Sequence, residues 1–262
     1  MVTLAALIGR MTADGTDLLV DAPENWSQGR TLYGGITAAL CYEAAKGSGD
    51  VLPPLRSAQF TLIGPASGQI RLRPQLLRQG RSVRIIGVDA FAGDEIVARC
   101  VFAFGAGRDS RVAHDRAPPP AVTPADDSPS FYPSEWRPSG FLSNFELRLA
   151  AGARTFTPGA QPDLFVWVRH LDARDVDPTT ALLALADALP PAAMVAFPES
   201  GRISTLTWTL DLALAPATGE GWHLLASSSQ HSGEGYSLQD MALWDAGGDL
   251  VGAGRQLVAI FV

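Results

Sequence analysis

Asp187 is the residue whose type and place most invite chemistry. It lies in the run Ala181-Leu182-Leu183-Ala184-Leu185-Ala186-Asp187-Ala188-Leu189, whose other members are apolar on nearly every side of a helix. Such a helix is buried, and a buried carboxylate must be paired, hydrogen-bonded or shifted toward its neutral form. Gln256, among Leu257, Val258, Ala259 and Ile260, is a candidate buried amide, although alternation alone leaves its face open. Thr205 and Thr207 stand two apart in a strand-like stretch, so alternation puts both hydroxyls on one face and either can serve a site there. Gly34-Gly35 opens another apolar run, Ile36 to Ala45. Paired glycines before a helix allow a tight turn and bring a ligand close to free backbone N–H groups, where an acyl oxygen or phosphate can sit; close packing against a sheet is the other use of the pair.

The elements that hold these residues follow from the pattern around them. Asp177-Pro178 starts a helix that carries Asp187 within it and runs until Pro190-Pro191 stops it. Between the two helices the period changes from 3.6 to 2. Strands are expected at about Ser57 to Ile63, Gln69 to Arg78, Ser82 to Phe91 and Glu95 to Phe104, with Gly64-Pro65, Gln79-Gly80 and Gly93-Asp94 as turns. A second series is expected at about Phe141 to Leu149, Leu164 to Leu171, Ser204 to Leu214, Trp222 to Ser229, Gly235 to Trp244 and Leu250 to Phe261. Helix followed by antiparallel strands thus occurs twice, and the hairpin Asp89 to Val97 has a counterpart at Leu243 to Val251. The expected organisation is one unit over 1–107, a Pro-rich linker over 108–138 and a second unit over 139–262. The fold class is α+β: two antiparallel sheets, each wrapped around a central helix and joined edge to edge, which removes two edges that would otherwise need protection.

Composition narrows the chemistry. The net charge is -7, and Lys46 is the only lysine, which argues against a nucleic-acid partner. Arg71, Arg73, Arg78, Arg81 and Arg84 form a local basic section able to meet phosphates, or simply a solvated face. Cys41 and Cys100 are too few and too far apart for a disulfide framework or a zinc site, and both fall in apolar runs. His114, His170, His223 and His231 are dispersed and make no metal set, and Ser227-Ser228-Ser229 lacks the surroundings of a nucleophile elbow. No apolar stretch is long enough to span a bilayer and no leader pattern opens the chain, so no membrane insertion and a cytoplasmic location are expected.

Taken together, Tyr33-Gly34-Gly35 before the first helix, Leu182 to Asp187 in the second, Ser204-Thr205-Leu206-Thr207 opening the next strand and Arg255-Gln256 in the last resemble the double-hotdog acyl-CoA thioesterases. The resemblance covers most of the chain. It implies hydrolysis of an acyl-CoA thioester by an activated water, with no metal, redox cofactor or covalent nucleophile triad. Carried over residue by residue, it implies Asp187 as the acid that takes or orients the water's proton, with Thr205 and Gln256 holding the water's remaining hydrogen bonds. It further implies the Gly35 N–H as polariser of the thioester carbonyl, with Tyr33, Gly34, Thr207 and Trp208 beside the substrate. Where well-known members have an Asp-His pair after the threonine, this chain has Thr207-Trp208, which leaves its substrate choice its own. The alternatives are a non-catalytic acyl-CoA or acyl-chain binding protein on the same fold and a hotdog dehydratase, which would need a histidine beside a helix. Acyl type is not expressed in the sequence, and pairing of copies through sheet edges or a helical face stays open.

Overall fold

The computed structural model describes residues 1–47 and 51–262. A short helix α1 (Leu4–Ile8), the hairpin β1 (Thr12–Asp14) and β2 (Asp17–Asp21), and the small ribbon β3 (Ser27–Gln28) and β4 (Thr31–Leu32) lead into α2 (Gly34–Lys46). The strands β5 (Leu55–Leu62), β6 (Gln69–Gln79), β7 (Val83–Ala92) and β8 (Glu95–Gly105) complete the first half. The second half comprises β9 (Phe145–Gly152), β10 (Asp163–His170), α3 (Pro178–Ala186), β11 (Arg202–Leu212), β12 (His223–Gly233), β13 (Tyr236–Asp245) and β14 (Leu250–Phe261).

Among the described residues twelve strands form one sheet in the order β1-β2-β6-β7-β8-β5-β11-β14-β13-β12-β10-β9. The two halves meet where β5 pairs antiparallel with β11. At that seam Phe60 lies opposite Trp208, and the two rings stack with centroids 4.6 Å apart. This is the expected double hotdog, the two sheets continuous through their inner edges.

Both helices are buried because nearly every side chain they carry is apolar or small. All residues from Thr180 to Ala186 are buried, and so is most of α2. The Asp177 carboxylate accepts from Thr180 N–H at 3.0 Å and Pro178 occupies the first turn, so α3 begins as the sequence dictates. The helices run antiparallel against each other. The start of α2 meets the end of α3, and at the other end Lys46 Nζ lies 2.9 Å from Glu43 and 3.5 Å from Asp177, while the Thr180 hydroxyl donates to Glu43. Close approach requires glycine: a Cβ on Gly35 would lie 2.7 Å from the Ala184 carbonyl oxygen and 2.7 Å from the Tyr33 ring.

Two expectations need correction. The second helix stops at Ala186, not at Pro190-Pro191; Asp187 is the residue that ends it, and helical turns resume only in the 3₁₀ segment Ala192–Val195. Proline disfavours helix at the residue before it, so unwinding begins ahead of the Pro190-Pro191 pair. The register of β11 shifts between Thr205 and Thr207, which breaks the alternation that would have put the two threonines on one face. Much of the Pro-rich segment expected as a linker over 108–138 is held against the second half. Trp244 Nε1 donates to Ala117 O at 2.9 Å, Trp167 Nε1 to Thr123 O at 2.8 Å, and Arg148 Nη1 to Ala125 O at 3.0 Å.

Candidate active site

Asp187 leaves the end of α3 and reaches the start of α2. Its Oδ2 lies so close to Gly34 that a Cβ there would be 2.5 Å away. The first intrahelical bond of α2 is Thr37 N–H to Tyr33 O, and no side chain of α2 itself caps the helix. The N–H groups of Gly34, Gly35 and Ile36 therefore precede the hydrogen-bonded ladder, and the helix presents its positive end to the carboxylate. From β14, Gln256 donates through Nε2 to Asp187 Oδ1 at 2.5 Å. Burial pushes the Asp187 carboxyl up to about 7; the Gln256 amide and the Gly35 N–H act against that rise by favouring the charged form. Although densely surrounded, Asp187 is not closed off and keeps part of its surface open to water. The site thus holds a carboxyl group whose pKa is raised toward neutrality by burial and which is hydrogen-bonded by an amide, on a residue that is only partly buried.

The arrangement draws on both halves, since Asp187 and Gln256 come from the second and Tyr33-Gly34-Gly35 from the first. Two models of known families match those halves: the acyl-CoA thioesterase C-terminal domain over residues 115–260, more than half of the chain, and the acyl-CoA thioesterase N-terminal domain over residues 22–105. The chain belongs to the acyl-CoA thioesterase family. The family's activity, hydrolysis of acyl-CoA thioesters, is accordingly the activity of this enzyme.

Solved structures agree on the fold of this thioesterase. A conserved protein with a hotdog fold from Alicyclobacillus acidocaldarius superimposes with a TM-score of 0.87 at 24% identity, covering 96% of each chain. An acyl-CoA thioesterase II from Mycobacterium marinum superimposes with a TM-score of 0.77 at 19% identity, covering 97% of this chain and 96% of that one. None of the curated protein sequences compared matches the chain. Among the described residues no helix is long and apolar enough to cross a membrane.

The other residues singled out from the sequence of this thioesterase divide into those the fold brings to Asp187 and those it does not. Thr205 pairs with Val258, two positions from Gln256 on the same inward face of β14, and is half-buried; its side chain makes no hydrogen bond among the described residues. Thr207 pairs with Leu257 and is exposed, so the shift at Leu206 turns it to the outer face, away from Gln256. Trp208 pairs with Gln256 but is only 1% exposed and packs on Phe60, so it is a wall of the core and not an open contact surface; its Nε1 is buried with no partner among the described residues. Tyr33 stacks on Phe141 at 4.1 Å, and its buried hydroxyl has no partner in hydrogen-bond geometry among the described residues. Burial and the charge of Asp187 raise the Tyr33 phenol well above its ordinary value, so it stays neutral. The Gly35 N–H, expected to polarise the substrate carbonyl, acts here on Asp187 itself.

Arg71 and Arg73 are held elsewhere: Arg73 Nη2 lies 2.9 Å from Asp17 Oδ2, and both guanidinium groups lie over Phe91 at 5.0 and 5.1 Å. A histidine does lie beside a helix, His170, but its Nε2 is 2.8 Å from Ala181 O and burial depresses its pKa to about 4. That bond makes Nε2 the protonated nitrogen and leaves His170 a neutral packing residue. Sequence reasoning missed Gln239, whose Nε2 donates to Gln256 Oε1 at 2.6 Å.

Proposed function

We propose that this thioesterase hydrolyses its acyl-CoA substrate with a water activated by Asp187. The single observation that carries the reading is the Asp187 carboxylate held between Gln256 Nε2 and the N-terminus of α2, where burial raises its pKa to about 7. As the water oxygen bonds to the thioester carbon, Asp187 takes a water proton. The tetrahedral intermediate then collapses with cleavage of the C–S bond, and that proton returns to the departing CoA sulfur, giving free acid and CoA. A thiolate is a good leaving group, its parent thiol having a pKa of about 8.5, so no second acid is demanded. The acyl oxygen is assigned to the N-terminus of α2. If it takes the Gly35 N–H, it removes one of the two donors that favour the carboxylate and so raises the basicity of Asp187 when substrate is in place. Thr205 is the candidate hydroxyl for the water. Gln256 Oε1 already accepts from Gln239, so only its second lone pair is left for the water.

Two buried, free cysteines fit a reducing compartment, and we place the enzyme in the cytoplasm. Of the two outer strands, β9 is covered along its outer side, where Phe131 N–H donates to Leu147 O and Leu149 N–H to Pro129 O, so β1 is the edge through which copies of the chain would pair. The test is release of CoA from short, medium, long-chain and aromatic acyl-CoAs by the wild type and Asp187→Asn. Asp187→Asn should lose roughly 100-fold or more with its fold intact. Turnover untouched by that change would remove Asp187 from the mechanism; tight binding without turnover would instead indicate a non-catalytic acyl-CoA binding protein.

A further inference from the structure

Gln239 on β13 lies directly opposite Gln256 on β14, and the two are 2% and 3% exposed. Two amides in an apolar layer are costly unless each is satisfied, and these are satisfied in one direction only. The backbone N–H of Ala192 can only donate, and it donates to Gln239 Oε1 at 2.9 Å. That contact fixes which end of Gln239 is oxygen, so Nε2 is the atom facing Gln256 Oε1 at 2.6 Å. Gln256 in turn must present its nitrogen to Asp187 Oδ1 at 2.5 Å. The direction of the whole series is therefore set by a backbone group that cannot flip. Ala192 opens the 3₁₀ turn just after Pro190-Pro191, so the series begins and ends on the connection that carries Asp187.

We infer that Gln239 is a positioning residue for thioester hydrolysis, locking the Gln256 amide with its nitrogen toward Asp187. The inference rests on the reading of Asp187 as the base. Without Gln239, the Gln256 amide can turn over and face the carboxylate with its oxygen, replacing a donor that favours the charged acid with a lone pair that opposes it. The groups acting on Asp187 are Gln256 from β14, the Gly35 N–H from α2 and the neutral Tyr33 phenol at the start of α2; among the described residues no charged side chain is seen to act on it.

Gln239→Met keeps the bulk and removes both hydrogen bonds, whereas an ionised Gln239→Glu accepts from both Ala192 and Gln256 and so turns the Gln256 amide around. In kcat/KM measured from about pH 5 to about pH 10, Gln239→Met should move the acid limb upward by about one pH unit, with activity about 10-fold lower on the limb and within about 3-fold of wild type at high pH. Gln239→Glu should lose more than Gln239→Met above neutrality. A loss equal at every pH, with the limb unmoved, would make Gln239 a packing residue and overturn the inference. Thermal unfolding over the same range reads the Asp187 titration without turnover, and the upper end of the window in which stability falls with pH should move upward in Gln239→Met. A wild type that turns over no acyl-CoA would defeat the hydrolytic reading alone; the unfolding shift would still decide the role of Gln239, its absence counting against it.

Discussion

At the scale of the residue, the titration of Asp187 sets two pH dependences of opposite value to the protein. Activity needs the carboxylate, so kcat/KM should rise about tenfold per pH unit up to a limb near the pKa of about 7, and Asp187→Asn should erase the limb. Stability runs the other way. The folded state holds the Asp187 proton from the ordinary value of 3.8 up to about 7, while the unfolded state has released it, so stability falls as pH rises through that window. His170 has the opposite sign: its folded pKa of about 4 lies below the ordinary 6.5, the unfolded state binds the proton first, and stability rises with pH across that range, with His223 shifted in the same direction. Asp187→Asn should therefore leave the histidine rise unopposed between about pH 4 and 6.5 and at pH 8 be more stable than wild type by at most about 4 kcal/mol, unfolding at a higher temperature. Equal unfolding temperatures of the two proteins at pH 8 would contradict the buried, raised acid. Asp187 and Gln256 were legible in the sequence because each interrupts an apolar run. Gln239 was not: in Tyr236-Ser237-Leu238-Gln239-Asp240 its neighbours are mostly polar, and its burial comes from a register that the strand alone does not announce.

At the scale of the element, the site depends on how closely the end of α3 approaches the start of α2, and two adjacent glycines make separable predictions. A methyl on Gly34 would meet two side-chain ends, Asp187 Oδ2 at 2.5 Å and Leu62 Cδ1 at 3.2 Å, whereas a methyl on Gly35 would meet the backbone of Ala184 and the Tyr33 ring, each at 2.7 Å. Gly34→Ala should thus cost about 1 kcal/mol of stability or less but about 100-fold in kcat/KM, because it displaces the carboxylate. Gly35→Ala should cost about 1–3 kcal/mol, since the helices must move apart. Chemical denaturation and kinetics on both variants check the contrast, and equal stability losses would refute it. The helices and strands themselves were readable from period and from Pro and Gly punctuation, and Asp177-Pro178 gave the start of α3. What escaped was the end of that helix and the shift at Leu206. Both are local departures from regular period, imposed by a proline pair downstream and by pairing with β14, and period is the only signal a sequence-based reading of such segments has.

At the scale of the molecule, the site is a property of the junction and not of either half. The first half supplies the α2 N-terminus and the second supplies Asp187, Gln256 and Gln239. The halves are held together by the β5–β11 ladder, the stacked Phe60 and Trp208, and the antiparallel packing of α2 on α3. The covalent link contributes least at its beginning. Residues 106–116 are exposed, and the anchoring to Trp244, Trp167 and Arg148 begins only at Ala117, from where the segment belongs to the second half. A protease site inserted between Arg111 and Val112 should therefore be cleavable in the folded protein. The cut would leave two fragments that elute together and retain wild-type kcat/KM to within about 2-fold, because neither the ladder nor the helix pair is touched. After denaturation and separation, each fragment alone should release no CoA, and refolding them together should restore turnover. Activity in the isolated second-half fragment would mean that the α2 N-terminus is dispensable, and the carbonyl donor would then have to be sought beside Thr205 and Gln256 instead.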